Sequence, residues 1–428
     1  MIRLPYDDGH IDFDDADENV ISVLDSSLGG FKPAAGGAEL VGAALDNPIG
    51  SERLEELIRG KKNMVIITSD HTRPVPSRIT RPIILRRIRG ANPEIKIKIV
   101  IAAGTHRGTT RGELIEKFGE KIVSDENIIV HDAAKSETVS LGRLGTGLHV
   151  EVNREIMETD FLMAEGFIEP HFFAGFSGGR KSVFPGVASL RCVKANHCAE
   201  YIASPFARTG VLADNPVHIE ALETARRAKL KFILNVVIDG DKKIVNAFAG
   251  QFDKAHAAGC DFVKKYASVA PAPADIVITS NGGYPMDRNI YQAVKCMTAA
   301  EASCGEGGVI IAAAGCRDGH GGGGFYETFK NAPSPRDVTE KIIKRSRAET
   351  ENDQWQSQIL ARVLEKHTVV LVSDMIDKKT VEDMFMIHKT NIADAVAEAK
   401  KILRAAGRQN ADKAPITVIP DGVAVIVG

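Results

Sequence analysis

The stretch Met64-Val65-Ile66-Ile67-Thr68-Ser69-Asp70 is five apolar or β-branched residues that stop at a polar pair. It is matched by Ile95-Lys96-Ile97-Lys98-Ile99-Val100-Ile101-Ala102, which stops at Gly104-Thr105-His106. Between them, Ser77 to Arg89 places Ile79, Ile83, Ile84 and Ile88 at helical spacing with arginines elsewhere. Short β-branched runs bounded by polar loops read as buried strands, and the intervening period of 3.6 reads as a helix. Strand, helix, strand implies a parallel pair with a right-handed crossover.

Working outward, 127–130, 160–164, 231–238 and 243–247 have the same strand character. Ala270-Pro271-Ala272-Pro273-Ala274 then breaks the pattern as a linker. After it come strands at 276–279, 309–312 and 369–372, with helices at 291–302, 335–366 (mostly) and 391–406. Strands at 416–419 and 423–427 are free to finish either sheet. The chain therefore reads as two Rossmann-like α/β domains, 1–269 and 275–406, with 407–428 able to complete the first. Their active site is expected in the cleft between them. Open α/β sheets bind ligands beyond the carboxyl ends of their strands. Asp70, His106, Asn281 and Arg317 lie just past such ends.

Composition narrows the functional classes. The 428 residues are 44% apolar, enough for packed cores, and 54 basic against 56 acidic residues give a net charge of −2. That balance lacks the basic surface a nucleic-acid partner demands. Six cysteines are too few for a disulfide framework, and no apolar run reaches membrane-spanning length. The N-terminus is acidic rather than basic and apolar, so no signal peptide is expected. The expectation is a cytoplasmic protein with neither nucleic acid nor membrane as partner.

The densest segment runs Glu169-Pro170-His171-Phe172-Phe173-Ala174-Gly175-Phe176-Ser177-Gly178-Gly179-Arg180-Lys181-Ser182. Its glycines, lysine and serines suit a loop whose backbone amides converge on an anion. It fails the nucleoside-triphosphate pattern G-x-x-x-x-G-K-[ST], because Arg180 stands before the lysine. A tight turn with a solvated Lys-Arg pair fits equally. His106 and His171 are each placed to move protons near neutral pH, or to be structural. Asn196-His197-Cys198 offers a metal ligand without a second pair at zinc spacing. Asp70 and Arg73 can hold a hydroxyl and a carboxylate, or cap a helix. Gln292 and Lys295 share a helical face that can receive a carboxylate or simply face solvent. Arg288 suits a second carboxylate or a salt bridge. Asp318-Gly319-His320 and the four glycines after it suit a mobile loop or a long connection. Trp355 suits packing or a substrate wall.

Taken together, Ser69-Asp70-His71-Thr72-Arg73-Pro74, Gly104-Thr105-His106-Arg107, Glu169-Pro170-His171 through Gly178-Gly179-Arg180-Lys181-Ser182, Asn196-His197 and Tyr291-Gln292-Ala293-Val294-Lys295 form an ordered set. In this set the chain resembles the nickel-pincer lactate racemases and related 2-hydroxyacid racemases and epimerases, over essentially its whole length. The resemblance implies a nickel-pincer nucleotide, a pyridinium-3-thioamide-5-thiocarboxylic acid mononucleotide covalently attached to Lys181. His197 would ligate its Ni(II), and His106 and His171 would serve as the acid/base pair. Asp70, Arg73, Gln292 and Lys295 would bind substrate. The loop carrying Ser177, Gly178, Gly179 and Ser182 would lie near the cofactor phosphate. The partners implied are a small 2-hydroxyacid and cofactor-maturation proteins. Two other readings stay open here: a nucleotide-binding or hydrolysing protein built on 175–182, and a non-catalytic carrier of the nickel cofactor.

Overall fold

The structure is a computed structural model that describes residues 1–428. The chain forms two compact units. The first comprises Leu28–Asn196 and Pro205–Tyr266, and the second Met1–Ser27, His197–Ser204 and Ala267–Gly428.

The chain opens with three short strands of the second unit, β1 (Ile2–Tyr6), β2 (Gly9–Phe13) and β3 (Val20–Val23). The first unit then contributes β4 (Asn63–Ser69), β5 (Lys96–Ala102), β6 (Asn127–Val130), β7 (Thr138–Arg143), β8 (His149–Asn153) and β9 (Leu162–Phe167). It continues with β10 (Pro170–His171), β11 (Gly175–Phe176), β12 (Phe232–Ile238) and β13 (Ile244–Gln251). Its main sheet has the order β13-β12-β9-β4-β5-β6. All its pairs are parallel except β12 with β13. Alternate residues of β4 feed two separate cores, Met64 and Ile66 on one face and Val65 and Ile67 on the other. A strand buried on both faces reads as a continuous apolar run, which is why this one was legible.

The second unit adds β14 (Ser268–Val269), β15 (Ala274–Ser280), β16 (Cys304–Ala313), β17 (Thr368–Val372), β18 (Ile387–Lys389), β19 (Ile416–Ile419) and β20 (Ile426–Val427). Its parallel sheet has the order β18-β17-β16-β15-β19-β3. The expected division is corrected at the N-terminus, and the C-terminal strands, left open by the sequence, are placed. The first 27 residues belong to the second unit, because β3 pairs with β19 and Leu4, Tyr6 and Phe13 enter a core with Ile276, Ile278, Val370 and Val418. The last strands also stay there: β19 lies between β15 and β3, and β20 pairs with β14. The segment 335–366 is two helices, Pro335–Ile343 and Gln354–Lys366. All six cysteines are unpaired, and no helix is long and apolar enough to cross a membrane.

Leu4 is fully buried in the second core. Leu4→Ala should therefore cost about 2–5 kcal/mol, read as an earlier midpoint of denaturant unfolding. An unchanged midpoint would mean that β1 does not pack on the second sheet.

Candidate active site

The carboxyl ends of β4 and β5 lie level, with Ser69 paired to Ala102. The next residues on each strand meet. Asp70 Oδ2 lies 2.7 Å from His106 Nδ1. Asp70 Oδ1 accepts from Thr72 twice, from its amide at 3.1 Å and its hydroxyl at 2.7 Å. Asp70 is 1% exposed, whereas the His106 side chain is 32% exposed. Burial opposes ionisation of Asp70, but the His106 hydrogen bond and charge, Arg73 and Thr72 outweigh it and hold the carboxyl well below its usual range. An ionised carboxylate only accepts, so His106 Nδ1 donates and Nε2 is left to exchange protons. Asp70 is thus in direct hydrogen-bond contact with His106, where an ionised carboxylate would hold the imidazole in one tautomer. Arg73, half-buried, follows in the same loop, its amide donating to the Asp70 carbonyl at 3.4 Å.

His171 sits on the hairpin of β10 and β11, where it pairs with Gly175. The loop Phe172-Phe173-Ala174 closes through Gly175 at φ +78°, and a Cβ there would lie 2.3 Å from the Val211 carbonyl oxygen. Only glycine meets both conditions. The His171 ring stacks on Phe172 and meets Phe173 edge-on, with centroids 5.0 and 4.7 Å away. Its Nδ1 accepts from the Ala174 amide at 3.2 Å. Lys181 stands nearby, its Nζ 5.9 Å from the Phe173 ring centroid.

Lys181 belongs to the single turn Gly179–Ser182. Its neighbour Arg180 is 1% exposed. The guanidinium donates to the carbonyls of Ala174 (2.7 Å) and Gly178 (3.4 Å) and contacts His256 Nε2 (3.0 Å). Arg180, which broke the triphosphate-loop pattern, is thus the anchor of the turn. The glycines are needed for packing: a Cβ on Gly178 would lie 2.7 Å from Asn235 Oδ1, and one on Gly179 2.5 Å from the His256 ring. The amides of Ser177, Gly179 and Lys181 donate to Glu169 O, Asn235 Oδ1 and Gly178 O. The Ser177 hydroxyl donates to Phe167 O and accepts from Glu169 N. Ser177, Gly178 and Gly179 therefore build the loop, and these groups form no ring of free donors for a phosphate. Ser182, half-buried, ends the turn.

In the second unit, His197 is 5% exposed and meets the lone tryptophan, Trp355, edge-on at 5.0 Å between centroids. Trp355 Nε1 donates to the Tyr291 hydroxyl at 2.9 Å, and Gln356 donates to the Tyr291 carbonyl. Tyr291 opens the helix Ile290–Glu301 that carries Gln292 and Lys295, capped by Asn289. Gln292 is 9% exposed, and its Oε1 is buried without a hydrogen-bond partner. Lys295 is half-buried. His197, Trp355, Tyr291, Gln292 and Lys295 thus form one connected group. The role of Trp355 could not be read from its polar surroundings, because Gln354, Gln356, Ser357 and Gln358 are themselves buried.

Other expectations settle on their structural side. Arg288 Nε donates to Asp318 Oδ2 at 2.6 Å. The carbonyls of Gly319 and His320 accept from Ile290 and Tyr291, so the glycine-rich loop docks on the helix start. No group of three His, Cys, Asp or Glu side chains is arranged to hold a metal by itself.

Residues 6–210 match the model of the lactate racemase N-terminal domain, and 269–427 that of the lactate racemase C-terminal domain. The chain belongs to the lactate racemase family. The lactate racemase of Thermoanaerobacterium thermosaccharolyticum is 54% identical over 427 residues, covering 100% of this chain and 99% of its own length. That of Lactiplantibacillus plantarum is 49% identical with the same coverage. The solved lactate racemase apoprotein from T. thermosaccharolyticum superposes with a TM-score of 0.94 at 53% identity, over 100% of this chain and 99% of that one. A Thermotoga maritima protein shares the fold, with a TM-score of 0.70 at 18% identity, over 93% of this chain and 100% of that one. As a lactate racemase family member, the protein is an isomerase with racemase activity.

Asp70→Asn keeps the shape but lets the His106 ring adopt the wrong tautomer. Racemisation followed by polarimetry should slow by a factor on the order of 10² to 10⁴, with little change in melting temperature. A rate within twofold of the parent would remove Asp70 from the machinery.

Proposed function

We propose that this chain racemises a small 2-hydroxyacid, lactate first among them, because both curated relatives carry that substrate in their names. The cofactor would be the nickel-pincer mononucleotide, joined to Lys181 and with Ni(II) ligated by His197. The residues fit such a group. No protein cluster could complete a metal site, so a nickel at His197 would draw its other ligands from the cofactor. Lys181 brings a primary amine to 5.9 Å from the ring centroid of Phe173, the neighbour of His171, and such an amine can be acylated by a thiocarboxylate. Bound there, the pincer nucleotide would supply a pyridinium carbon able to accept the Cα hydrogen as hydride.

The protein's part is binding and proton transfer. Arg73 and Lys295 would hold the substrate carboxylate, with help from Gln292. His106 would take or return the hydroxyl proton at Nε2 for one enantiomer, and His171 for the other. Inversion needs a proton carrier for each hand of the substrate, which two histidines provide. The 2.7 Å bond between Asp70 and His106 carries this reading, since it builds a general base from a buried carboxylate and an exposed imidazole. Cofactor-maturation proteins would be obligatory partners, so chain made without that pathway would be apoprotein.

Intact mass and nickel content of protein made in a cofactor-producing host test the assignment. The parent chain should carry an adduct on Lys181 and nickel in equal proportion to chain. Lys181→Ala should show the unmodified mass, and His197→Ala should keep the adduct while losing nickel. Full racemisation by a chain with unmodified Lys181 would overturn the tether. Replacing either His106 or His171 by Gln should block both directions of interconversion, because one turnover uses both. A variant that retained one direction would refute the pairing.

A further inference from the structure

Beneath Asp70 and His106 the first unit buries charge that the steps above do not use. Glu165 on β9 and Arg81 on the helix Ser77–Ala91 form an ion pair with both side chains fully buried. The Glu165 carboxylate also accepts the hydroxyls of Thr68, at 2.9 Å, and Thr80. Arg81 Nε and Nη1 have no partner, so one carboxylate does not satisfy the guanidinium. From the other side comes Lys117, on the helix Arg111–Phe118, whose Nζ donates to the Arg73 carbonyl at 3.3 Å. The charged groups acting on this ammonium are Glu165 and Asp70, which favour it, and Arg81 and Arg73, which oppose it. On its own helix stand Glu113 and Glu116. Arg78, packed against that helix, is bonded to the carbonyls of Ile115 and Glu116. Together with Lys117, the groups acting on it are the cations Arg73 and Arg81 and the carboxylates Asp70 and Glu165, and Asp70 is already bonded to His106. A cationic excess in a partly buried cluster favours an incoming anion.

We propose that Lys117 is a positioning residue for the substrate carboxylate. Its ammonium fixes the main chain of Arg73 and adds the charge that leaves the cluster one anion short, and the carboxylate of the 2-hydroxyacid makes up the difference. The inference rests on the reading of Arg73 as a carboxylate ligand. It assigns a residue of ordinary sequence appearance to substrate affinity rather than to the chemical step.

The geometry has a pH signature. Burial lowers the Lys117 pKa to about 8, against the favourable pull of Glu165 and Asp70. The cation is present below that pH and lost as pH rises through it, and carboxylate affinity should fall with it.

The test is steady-state racemisation of lactate by the holoenzyme from about pH 7 to about pH 9.5, a range that spans this titration. For the parent, KM should rise above pH about 8, while kcat changes little. Lys117→Arg, which stays charged, should flatten that rise. Lys117→Met should raise KM about tenfold across the range, the scale of one charge removed at several ångströms in a partly screened site. An unchanged KM in Lys117→Met overturns the proposal, as does a rise that persists in Lys117→Arg, since that rise would belong to another group such as Lys295. Should Lys117→Met fail to fold, the comparison of parent with Lys117→Arg decides alone. Arg73→Ala separates the two claims. If it leaves KM unchanged, the carboxylate reading of Arg73 fails. If it raises KM while Lys117→Met does not, only the role of Lys117 falls.

Discussion

The parallel register of β4 and β5 is the constraint on which the acid-base chemistry depends. Ser69 lies opposite Ala102, so the two strands end level and release Asp70 and the 103–106 turn at one edge. A slip by one residue would exchange the faces of every side chain on β4. That slip is forbidden, because Met64 and Ile66 fill one core while Val65 and Ile67 fill another. The bond between Asp70 and His106 is thus held by apolar packing three to six residues upstream of Asp70. A buried carboxylate costs several kcal/mol unless paired and hydrogen-bonded. His106 and Thr72 offset that cost, and the carboxylate's need for a donor in turn orients the imidazole.

Arg180 and Lys181 are adjacent cations with opposite fates. Arg180 is clamped by carbonyls and His256 inside the protein, while the Lys181 ammonium approaches the Phe173 ring. Anchoring one makes the turn rigid enough to present the other. The glycines serve this close packing, which explains why the segment looks like a phosphate loop without following its spacing. Phe173 touches both Lys181 and His171, so the proposed tether and one proton carrier share a wall.

How much of this was legible in the sequence varies with the origin of each feature. Most strands of both sheets were visible because parallel strands buried on two faces are runs of β-branched residues, whereas the three-residue edge strand β18 was not. The N-terminal strands were not. β1 is short and contains Pro5, and the partner of Val20 is Ile416, a pairing no local pattern announces. His106 and His171 stood out by position. The role of Asp70 did not, since a separation of 36 residues becomes a contact only through strand register. Arg180 and the loop glycines were misleading, because cavity-lining and close-packing glycines look alike in a string of letters. Lys117 reads as a last-turn helix lysine, favourable to the helix dipole and unremarked. Lys181 and His197 gained specific roles only through resemblance, since neither spacing nor burial announces a covalent cofactor or a single metal ligand.

The central claim is that Cα inversion proceeds by hydride movement on a bound cofactor, with His106 and His171 handling only the hydroxyl proton. Racemisation of a single lactate enantiomer deuterated at Cα, followed by mass spectrometry of the product enantiomer in ordinary water, tests it directly. The account predicts that the deuterium stays on carbon through inversion. Loss of the label to solvent in step with inversion would contradict it, and would instead make the histidines bases that remove the Cα proton themselves.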